Sequence, residues 1–240
     1  IIFSFILYFI EGYLSYFGIH DKKLKEKIEF YKEETGSKYD LRDKFEVFQS
    51  HVKQKKNISI VFHSKQIKNL KPLSGVSNIK TIFCNENGEY AAYKSDRYGF
   101  NNPDTEWDKN DIEFFIVGNS FAQGACVNRP NDIASVLRKL SGKSVLNLGY
   151  RYNGPLSEYA TLKEYLKPNV KKVLWLYSED NDFHILKKEL NSDLLKKYLE
   201  DKNFTQNLKN KQNIIDDLIN LKIEENYTLF KRQKLFNFFK

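Results

Sequence analysis

Three apolar stretches, each followed by polar residues, dominate the second half of the chain. Residues 112–117 lead into Gly118-Asn119-Ser120-Phe121, residues 144–148 into a glycine, and residues 173–177 into an acidic run that contains Asn181. The first stretch lacks strict alternation, which is typical of a parallel strand buried on both faces. The pattern predicts three parallel strands whose polar carboxyl ends share one edge of a sheet, where open α/β sheets place their functional residues.

Helical segments separate these strands, as an alternating α/β fold requires. Residues 131–140 predict a helix that ends at Gly142. Pro155 fits the first turn of a second helix that runs to Leu166. After the third strand, residues 183–221 are predicted to be helical and highly charged. The expected fold class is therefore α/β, a three-layer sandwich in which helices flank a parallel sheet.

The first half of the chain has a different pattern. Residues 1–17 are almost entirely aliphatic or aromatic, although Glu11 interrupts the run and a full membrane span needs about 20 apolar residues. Because the chain starts inside this run, we expect a truncated membrane anchor, with a buried amphipathic helix as the alternative. Residues 18–110 predict a helical stalk and a small cap with a hairpin around Asn87-Gly88. Residues 111–240 form the third predicted part.

Composition narrows the function classes. A chain of 240 residues can hold one good-sized domain with additions, and the absence of methionine predicts a fragment or processed form. The net charge of +8 comes from lysines spread along the chain, which favours a solvated surface over nucleic-acid binding. No phosphate loop or dinucleotide motif occurs, so we expect no cofactor.

Cys84 and Cys126 are the two cysteines of the chain, and their spacing does not suit a metal site. An oxidising compartment would allow them to form a disulfide. Two free buried thiols are the alternative.

The three strand ends carry a family resemblance. Gly118-Asn119-Ser120-Phe121 resembles the first block, GDS or GNS, of the SGNH/GDSL hydrolases. The segment from Asn147-Leu148-Gly149 to Asn153-Gly154-Pro155 resembles their second block, and Asn181-Asp182 resembles the third. Residues 96–101 are similar to the lead-in segment of some bacterial members, so that the resemblance covers about residues 96–190.

The resemblance implies a flavodoxin-like fold and hydrolysis of an acyl or acetyl ester, with a surface glycan as the expected carrier. Alternatives on the same fold are a glycan O-acyltransferase and a non-catalytic module that binds glycan or protein. Carried over by position, the resemblance makes Ser120 the nucleophile and a backbone oxyanion donor, Asn181 a side-chain donor, Tyr152 a backbone donor, and Asn119, Asn153 and Gly154 substrate-binding residues.

Two positions depart from the family pattern. Tyr152 occupies the place of a glycine, which is costly if the loop requires a positive φ and raises the alternative of a disabled site. The catalytic Asp-x-x-His block is absent, since none of the four histidines lies in such a sequence. We expect this block beyond Lys240, with the domain incomplete at its carboxyl end. The anchor and the resemblance together predict a membrane-anchored protein whose domain faces the periplasm or the exterior.

Overall fold

The computed structural model describes part of the chain, namely residues 2–63, 66–67 and 69–238. Chain contacts divide it into two units, of which the first contains Ile1–Arg42 and Asn85–Tyr90 and the second contains Asp43–Cys84 and Ala91–Lys240. The predicted strand ends all lie in the second unit.

The first unit is built on one long helix, α1 (Ile2–Thr35). The helix stops at Gly36, whose φ of +65° is left-handed and suits glycine. Beyond it, the Asp40 N–H donates to the Gly88 carbonyl at 2.8 Å, and the Asn85 side-chain amide donates to the Asp40 carbonyl at 2.8 Å. These bonds hold residues 85–90 against the segment that follows α1.

The structure contradicts the predicted membrane anchor. Ile1 lies outside the described residues, and the rest of the predicted anchor forms the first half of α1. Within the described ranges, no helix combines the length and the apolar character needed to cross a bilayer. The predictions of an anchor at residues 1–17 and of a membrane-anchored location are therefore wrong. The membrane as a partner stays a prediction. The physical reason is that Glu11 interrupts the apolar run and charged residues follow it from Asp21 onwards.

The second unit contains two small sheets. The strands of the first are β1 (Ile58–Ile60), β2 (Lys80–Ile82) and β3 (Ala92–Lys94). β1 and β2 are parallel, whereas β2 and β3 pair antiparallel, as the predicted hairpin requires. Helix α2 (Lys44–Lys53) packs on β1. It begins at a capping box, in which the Asp43 side chain accepts a hydrogen bond from the Phe45 N–H and the Glu46 side chain accepts one from the Asp43 N–H.

The second sheet is parallel throughout and has the order β5-β4-β6. Its strands are β4 (Ile112–Gly118), β5 (Val145–Asn147) and β6 (Val170–Leu176). The helices that follow them are α3 (Ser120–Gln123), α4 (Ile133–Ser141), α5 (Pro155–Tyr165), α6 (Glu179–Glu189), α7 (Asp193–Glu200) and α8 (Gln212–Phe238). The predicted α/β class, with a parallel sheet flanked by helices, is thereby confirmed.

Both faces of the central strand β4 are covered. Phe114 and Ile116 pack in one cluster with Ala134 of α4. Phe115 and Val117 point to the other face and are fully buried, and α5 contacts β4. Helices on opposite faces mean that the connections after β4 and β5 diverge. In a parallel sheet of the order β5-β4-β6, the topological switch point lies between β4 and β6, and open α/β sheets usually bind ligands at the carboxyl ends of such a strand pair.

The third strand is less buried than its apolar sequence predicts. Val173 and Trp175 are each about two-fifths exposed, at 41% and 42%. Of the described strands, only β4 pairs with β6, so β6 lies at the edge of this sheet. An edge strand can keep large apolar side chains in contact with solvent because no neighbouring strand supports a cover over them.

The charged region after β6 is broken into several helices rather than continuous. Ser192 begins α7 by accepting a hydrogen bond from the Leu195 N–H. Asn207, with a left-handed φ of +57°, precedes the 3-10 turn Leu208–Lys211 that leads into α8. Ser and Asn side chains favour such caps and turns over helix interiors, which explains the interruptions.

Candidate active site

Ser120 stands directly after the central strand. β4 ends at Gly118, where an added Cβ would lie 2.8 Å from the Leu176 carbonyl oxygen and 2.9 Å from the Ala122 Cβ. Only glycine therefore lets β4, β6 and α3 approach this closely. Ser120 is the first residue of α3 and is half-buried. Among the described residues, neither its hydroxyl nor its backbone N–H has a hydrogen-bond partner.

Asn119 ties the first motif to the third. Its side-chain oxygen accepts the Phe121 N–H at 3.0 Å, and its Nδ2 donates to Asp182 Oδ1 at 2.8 Å. Asp182 is fully buried, and its other oxygen accepts the Ser178 N–H at 2.6 Å. The contact fixes the end of β4 to the start of α6. A role of Asn119 in substrate binding stays a prediction, and its amide also holds two strand ends together.

The second motif packs directly on α3. Asn147, at the end of β5, donates from Nδ2 to the Ala122 carbonyl at 2.6 Å. The Tyr150 N–H donates to the Gly118 carbonyl at 3.1 Å, and the Arg151 N–H donates to Gln123 Oε1 at 2.7 Å. The loop that leads to Tyr152 is therefore anchored, through backbone groups, to the residues on either side of Ser120.

Tyr152, which stands at the place of a glycine in the motif that the sequence resembles, has a left-handed backbone conformation. Its φ is +72°, in the left-handed region that costs a non-glycine residue about 1–2 kcal/mol. The strain anticipated from the sequence is thus present in the loop. No described residue accepts a hydrogen bond from the Tyr152 N–H. The ring is 41% exposed, lies 4.7 Å from the His63 ring centre to centre, and carries the Arg151 guanidinium at 4.9 Å.

Asn153 and Gly154 hold the loop in place. Asn153 is buried and donates from Nδ2 to the Leu73 carbonyl at 3.0 Å. The Gly154 N–H donates to Glu189 Oε1 at 3.0 Å, and a Cβ on Gly154 would lie 2.3 Å from the Ile185 Cγ2. Their predicted part in substrate binding is not addressed by these contacts. The contacts do explain why this loop passes so close to α6.

The two residues of the third motif, Asn181 and Asp182, lie in different environments. Asn181 is exposed on the first turn of α6, and none of the described groups hydrogen-bonds its side chain. Asp182, the next residue, is the buried partner of Asn119. Sequence reasoning singled out Asn181 and missed Asp182. The available signal was the carboxylate directly after an apolar strand in the same motif, since a charge at such a position needs a partner.

A buried acid lies beside this junction. Glu158 of α5 is 1% exposed, and its Oε2 accepts the Trp175 indole N–H at 2.6 Å. Its Oε1 has no partner in the part of the chain that the structure describes. Burial raises the pKa of the Glu158 carboxyl to about 8, and the carboxylates of Asp182 and Glu189 act in the same direction. Glu158 is therefore largely a neutral acid at pH 7.

The lead-in segment, residues 96–102, is hydrogen-bonded to the end of β5. Asp96 is buried, and its Oδ2 accepts hydrogen bonds from Asn102 Nδ2 at 2.8 Å and from the Trp107 indole at 2.7 Å. Burial raises the pKa of Asp96 to about 6, although these hydrogen bonds act to lower it. Asn102 in turn accepts the Asn147 N–H and donates to the Asn147 carbonyl, each at 2.8 Å. Residues 96–102 thus fix the position of β5, a role that the resemblance alone did not assign.

Cys84 and Cys126 are joined by a disulfide, with a Cα separation of 4.9 Å. Of the two alternatives left open by the sequence, the structure has the paired form. Cys126 follows α3 closely, so the bridge connects the segment after Ser120 to the residues that follow β2.

Ser120 lacks a histidine partner among the described residues. His184 is exposed on α6, and His63 lies beside the Tyr152 ring. No described histidine hydrogen-bonds the Ser120 hydroxyl. Within the same residues, no cluster of three His, Cys, Asp or Glu side chains is placed to hold a metal ion.

Comparison with known protein families, curated proteins and solved structures finds no match to this chain.

Proposed function

We propose that the chain is an SGNH-like serine hydrolase that cleaves an acyl or acetyl ester, with Ser120 as the nucleophile. The observation that carries the proposal is the contrast around the end of β4. Asn119, Gln123 and Asn147 are buried and hydrogen-bonded, whereas the Ser120 hydroxyl and N–H have no partner among the described residues. A free serine on a rigid polar support, at the crevice of an α/β sheet, suits nucleophilic catalysis.

The reaction would proceed through an acyl-enzyme. The Ser120 oxygen attacks the ester carbonyl carbon, its proton passes to a base, and negative charge develops on the carbonyl oxygen. The Ser120 N–H, the Tyr152 N–H and the Asn181 amide would donate hydrogen bonds to that oxygen, and removal of one such donor typically costs about 3 kcal/mol. The alcohol leaves with the proton from the base. Water then attacks the carbonyl carbon of the acyl-enzyme, its proton passes through the base to the Ser120 oxygen, and the carboxylic acid is released.

The base is the missing element. None of the four histidines lies in an Asp-x-x-His sequence, and a serine at its ordinary pKa is a weak nucleophile. We therefore expect little turnover of an aryl acetate by these 240 residues alone. Added imidazole can take the proton in place of the histidine. We expect imidazole to raise the rate of p-nitrophenyl acetate cleavage and of fluorophosphonate labelling at Ser120.

Control variants separate cleavage at Ser120 from background hydrolysis by imidazole. Imidazole itself cleaves aryl acetates, so the Ser120→Ala rate in the same buffer is subtracted. Ser141→Ala, a substitution at the end of α4, should keep the imidazole-dependent rate. Peptide mass spectrometry then locates the phosphonate. Equal rates for wild type and Ser120→Ala, with no adduct on Ser120, would remove the hydrolase proposal.

A non-catalytic binding module is the second candidate. Tyr152 favours it, because a residue with a half-exposed ring occupies the place of a glycine beside the proposed oxyanion position. Under this hypothesis Ser120 stays unlabelled at any imidazole concentration, including in the Tyr152→Gly variant. Labelling that emerges only in Tyr152→Gly would instead show that the ring blocks an otherwise competent site.

A further inference from the structure

A cavity of about 500 Å³ opens beside Tyr152. Its walls come from the segment after β1, from the loop before α5, and from α6 and α7. The residues that the argument uses are His63, Lys71, Tyr152, Lys188 and Glu189. All of them belong to the second unit.

The cavity is electropositive. Lys71 is half-buried, and no hydrogen-bond partner for its ammonium group occurs among the described residues. Burial lowers the pKa of Lys71, and the Glu189 carboxylate partly offsets this. Lys188 adds a second, exposed ammonium on α6. A partly desolvated cation without a hydrogen-bonded partner is stabilised by an anion that enters the cavity.

Glu189, the one carboxylate among the described residues of the cavity wall, already accepts several hydrogen bonds. Glu189 accepts hydrogen bonds from the N–H groups of Gly154 at 3.0 Å and Leu156 at 2.9 Å, and also from the Ser157 N–H at 3.3 Å. These groups form the first turn of α5, whose dipole favours a negative charge at that position. These hydrogen bonds and the helix dipole partly offset the negative charge of Glu189. A ligand in the cavity therefore meets mainly the positive charge of the two lysines.

An aromatic wall completes the cavity. The rings of Tyr152 and His63 lie 4.7 Å apart, and Tyr152 keeps two-fifths of its surface exposed. Small-molecule sites in proteins combine such aromatic surface with a few placed polar groups. A flat ring beside two ammonium groups fits a ligand that has one apolar face and one anionic substituent.

We propose that this cavity binds an anionic hexopyranose, the sugar unit of the substrate next to the ester that Ser120 attacks. Its place in the reaction rests on the proposed function, because Tyr152 lines the cavity and its N–H is the expected oxyanion donor. The binding itself requires no catalysis. The pyranose ring would lie against Tyr152, and Lys71 and Lys188 would bind the anionic group.

Two matched pairs of probes test the chemistry. p-Nitrophenyl β-glucuronide and p-nitrophenyl β-glucoside differ only at C6, where a carboxylate replaces the hydroxymethyl group, and glucose 6-phosphate is compared with glucose. Titration followed by NMR should show about tenfold tighter binding of at least one anionic probe than of its neutral partner, as one charge-assisted hydrogen bond provides. The difference should shrink as salt is added. The two pairs distinguish a carboxylate from a phosphate as the preferred anion.

Lysine variants decide whether the cavity is the site. The Lys71→Gln/Lys188→Gln double variant should bind anionic and neutral probes alike, whereas Lys187→Gln, whose ammonium lies over the Phe183 ring outside the cavity, should keep the preference. Equal binding of both members of each pair by the wild type, or a preference that survives the double substitution, would overturn the proposal. Ser120→Ala should bind the probes normally. Binding of the anionic probes without imidazole-dependent turnover at Ser120 would remove the hydrolase proposal and leave the anionic hexopyranose site in place.

Discussion

At the scale of single residues, the site is defined by unusual environments rather than by unusual residue types. Tyr152 is the clearest case. It combines a left-handed backbone, an N–H without an acceptor among the described residues and a ring in contact with His63. The backbone strain and the ring contacts act in opposite directions on stability, so a single substitution cannot separate them.

Comparison of two variants separates the two effects. Tyr152→Ala and Tyr152→Gly both lose the ring, but only alanine keeps a Cβ at a φ of +72°. We expect Tyr152→Gly to be more stable than Tyr152→Ala by about 1 kcal/mol, since alanine at a positive φ is strained. Urea unfolding followed by circular dichroism measures the difference. As a control, the same pair at Leu166, whose φ is negative, should favour alanine. A Tyr152→Ala variant at least as stable as Tyr152→Gly would show that the loop relaxes to another conformation.

At the scale of elements, buried polar contacts align the strand ends. Asn119 to Asp182 connects the end of β4 with the start of α6, and Asn102 to Asn147 connects the lead-in segment with β5. Glu189 caps the start of α5 from α6. Each contact joins segments that are far apart in sequence. The crevice at the sheet edge therefore depends on side chains that do not themselves need to touch a substrate.

Neighbouring residues of the third motif should respond differently to substitution. Asp182→Ala leaves the Asn119 amide and the Ser178 N–H without their acceptor in a buried site, and hydrogen bonds to charged groups contribute about 1.5–3 kcal/mol each. We expect a loss of about 3–6 kcal/mol in the free energy of unfolding. Asn181→Ala, at an exposed position without a hydrogen-bond partner among the described residues, should change it by less than about 0.5 kcal/mol.

Chemical denaturation of both variants measures these changes, and imidazole-assisted turnover gives the second readout. Asn181→Ala should lower Ser120-dependent turnover by about a hundred-fold if its amide stabilises the oxyanion. The reverse pattern, with Asn181→Ala unfolding and Asp182→Ala remaining stable, would contradict the assigned division of roles.

At the scale of the whole molecule, the sequence predicts what local physics controls. The apolar run of β4, Pro155 in the first turn of α5 and the stop at Gly142 were all readable, because strand burial and helix ends depend on neighbouring residues. The departure at a glycine position raised a positive φ at Tyr152 as a condition for strain, and the structure meets that condition. Long-range contacts such as that of Glu189 with α5 left no local signal. The prediction of a membrane anchor was wrong, and Glu11 interrupts the apolar run on which it was based.

Two buried carboxyls should make the stability of the whole fold depend on pH. Burial raises the pKa of Asp96 from 3.8 to about 6 and that of Glu158 from 4.5 to about 8. A raised folded-state pKa stabilises the fold most below the unfolded value, and this stabilisation is lost as the pH rises through the folded value. Since Asp96 is mostly ionised above pH 6, the window from pH 6 to 8 isolates Glu158. There the free energy of unfolding should fall by up to about 1.4 kcal/mol per pH unit.

Glu158→Gln provides the test of that slope. Glutamine stays neutral, and its side-chain oxygen can still accept the Trp175 indole N–H, so the variant should flatten the stability curve between pH 6 and 8. Denaturation midpoints at half-unit pH steps give the slope for each protein. Glu200→Gln, which removes one exposed carboxylate at the end of α7, should leave the wild-type slope unchanged. A wild-type curve that is flat or rises across this window would contradict the prediction. It would mean that Glu158 is already ionised at a lower pH and that groups other than the Trp175 indole stabilise its charge.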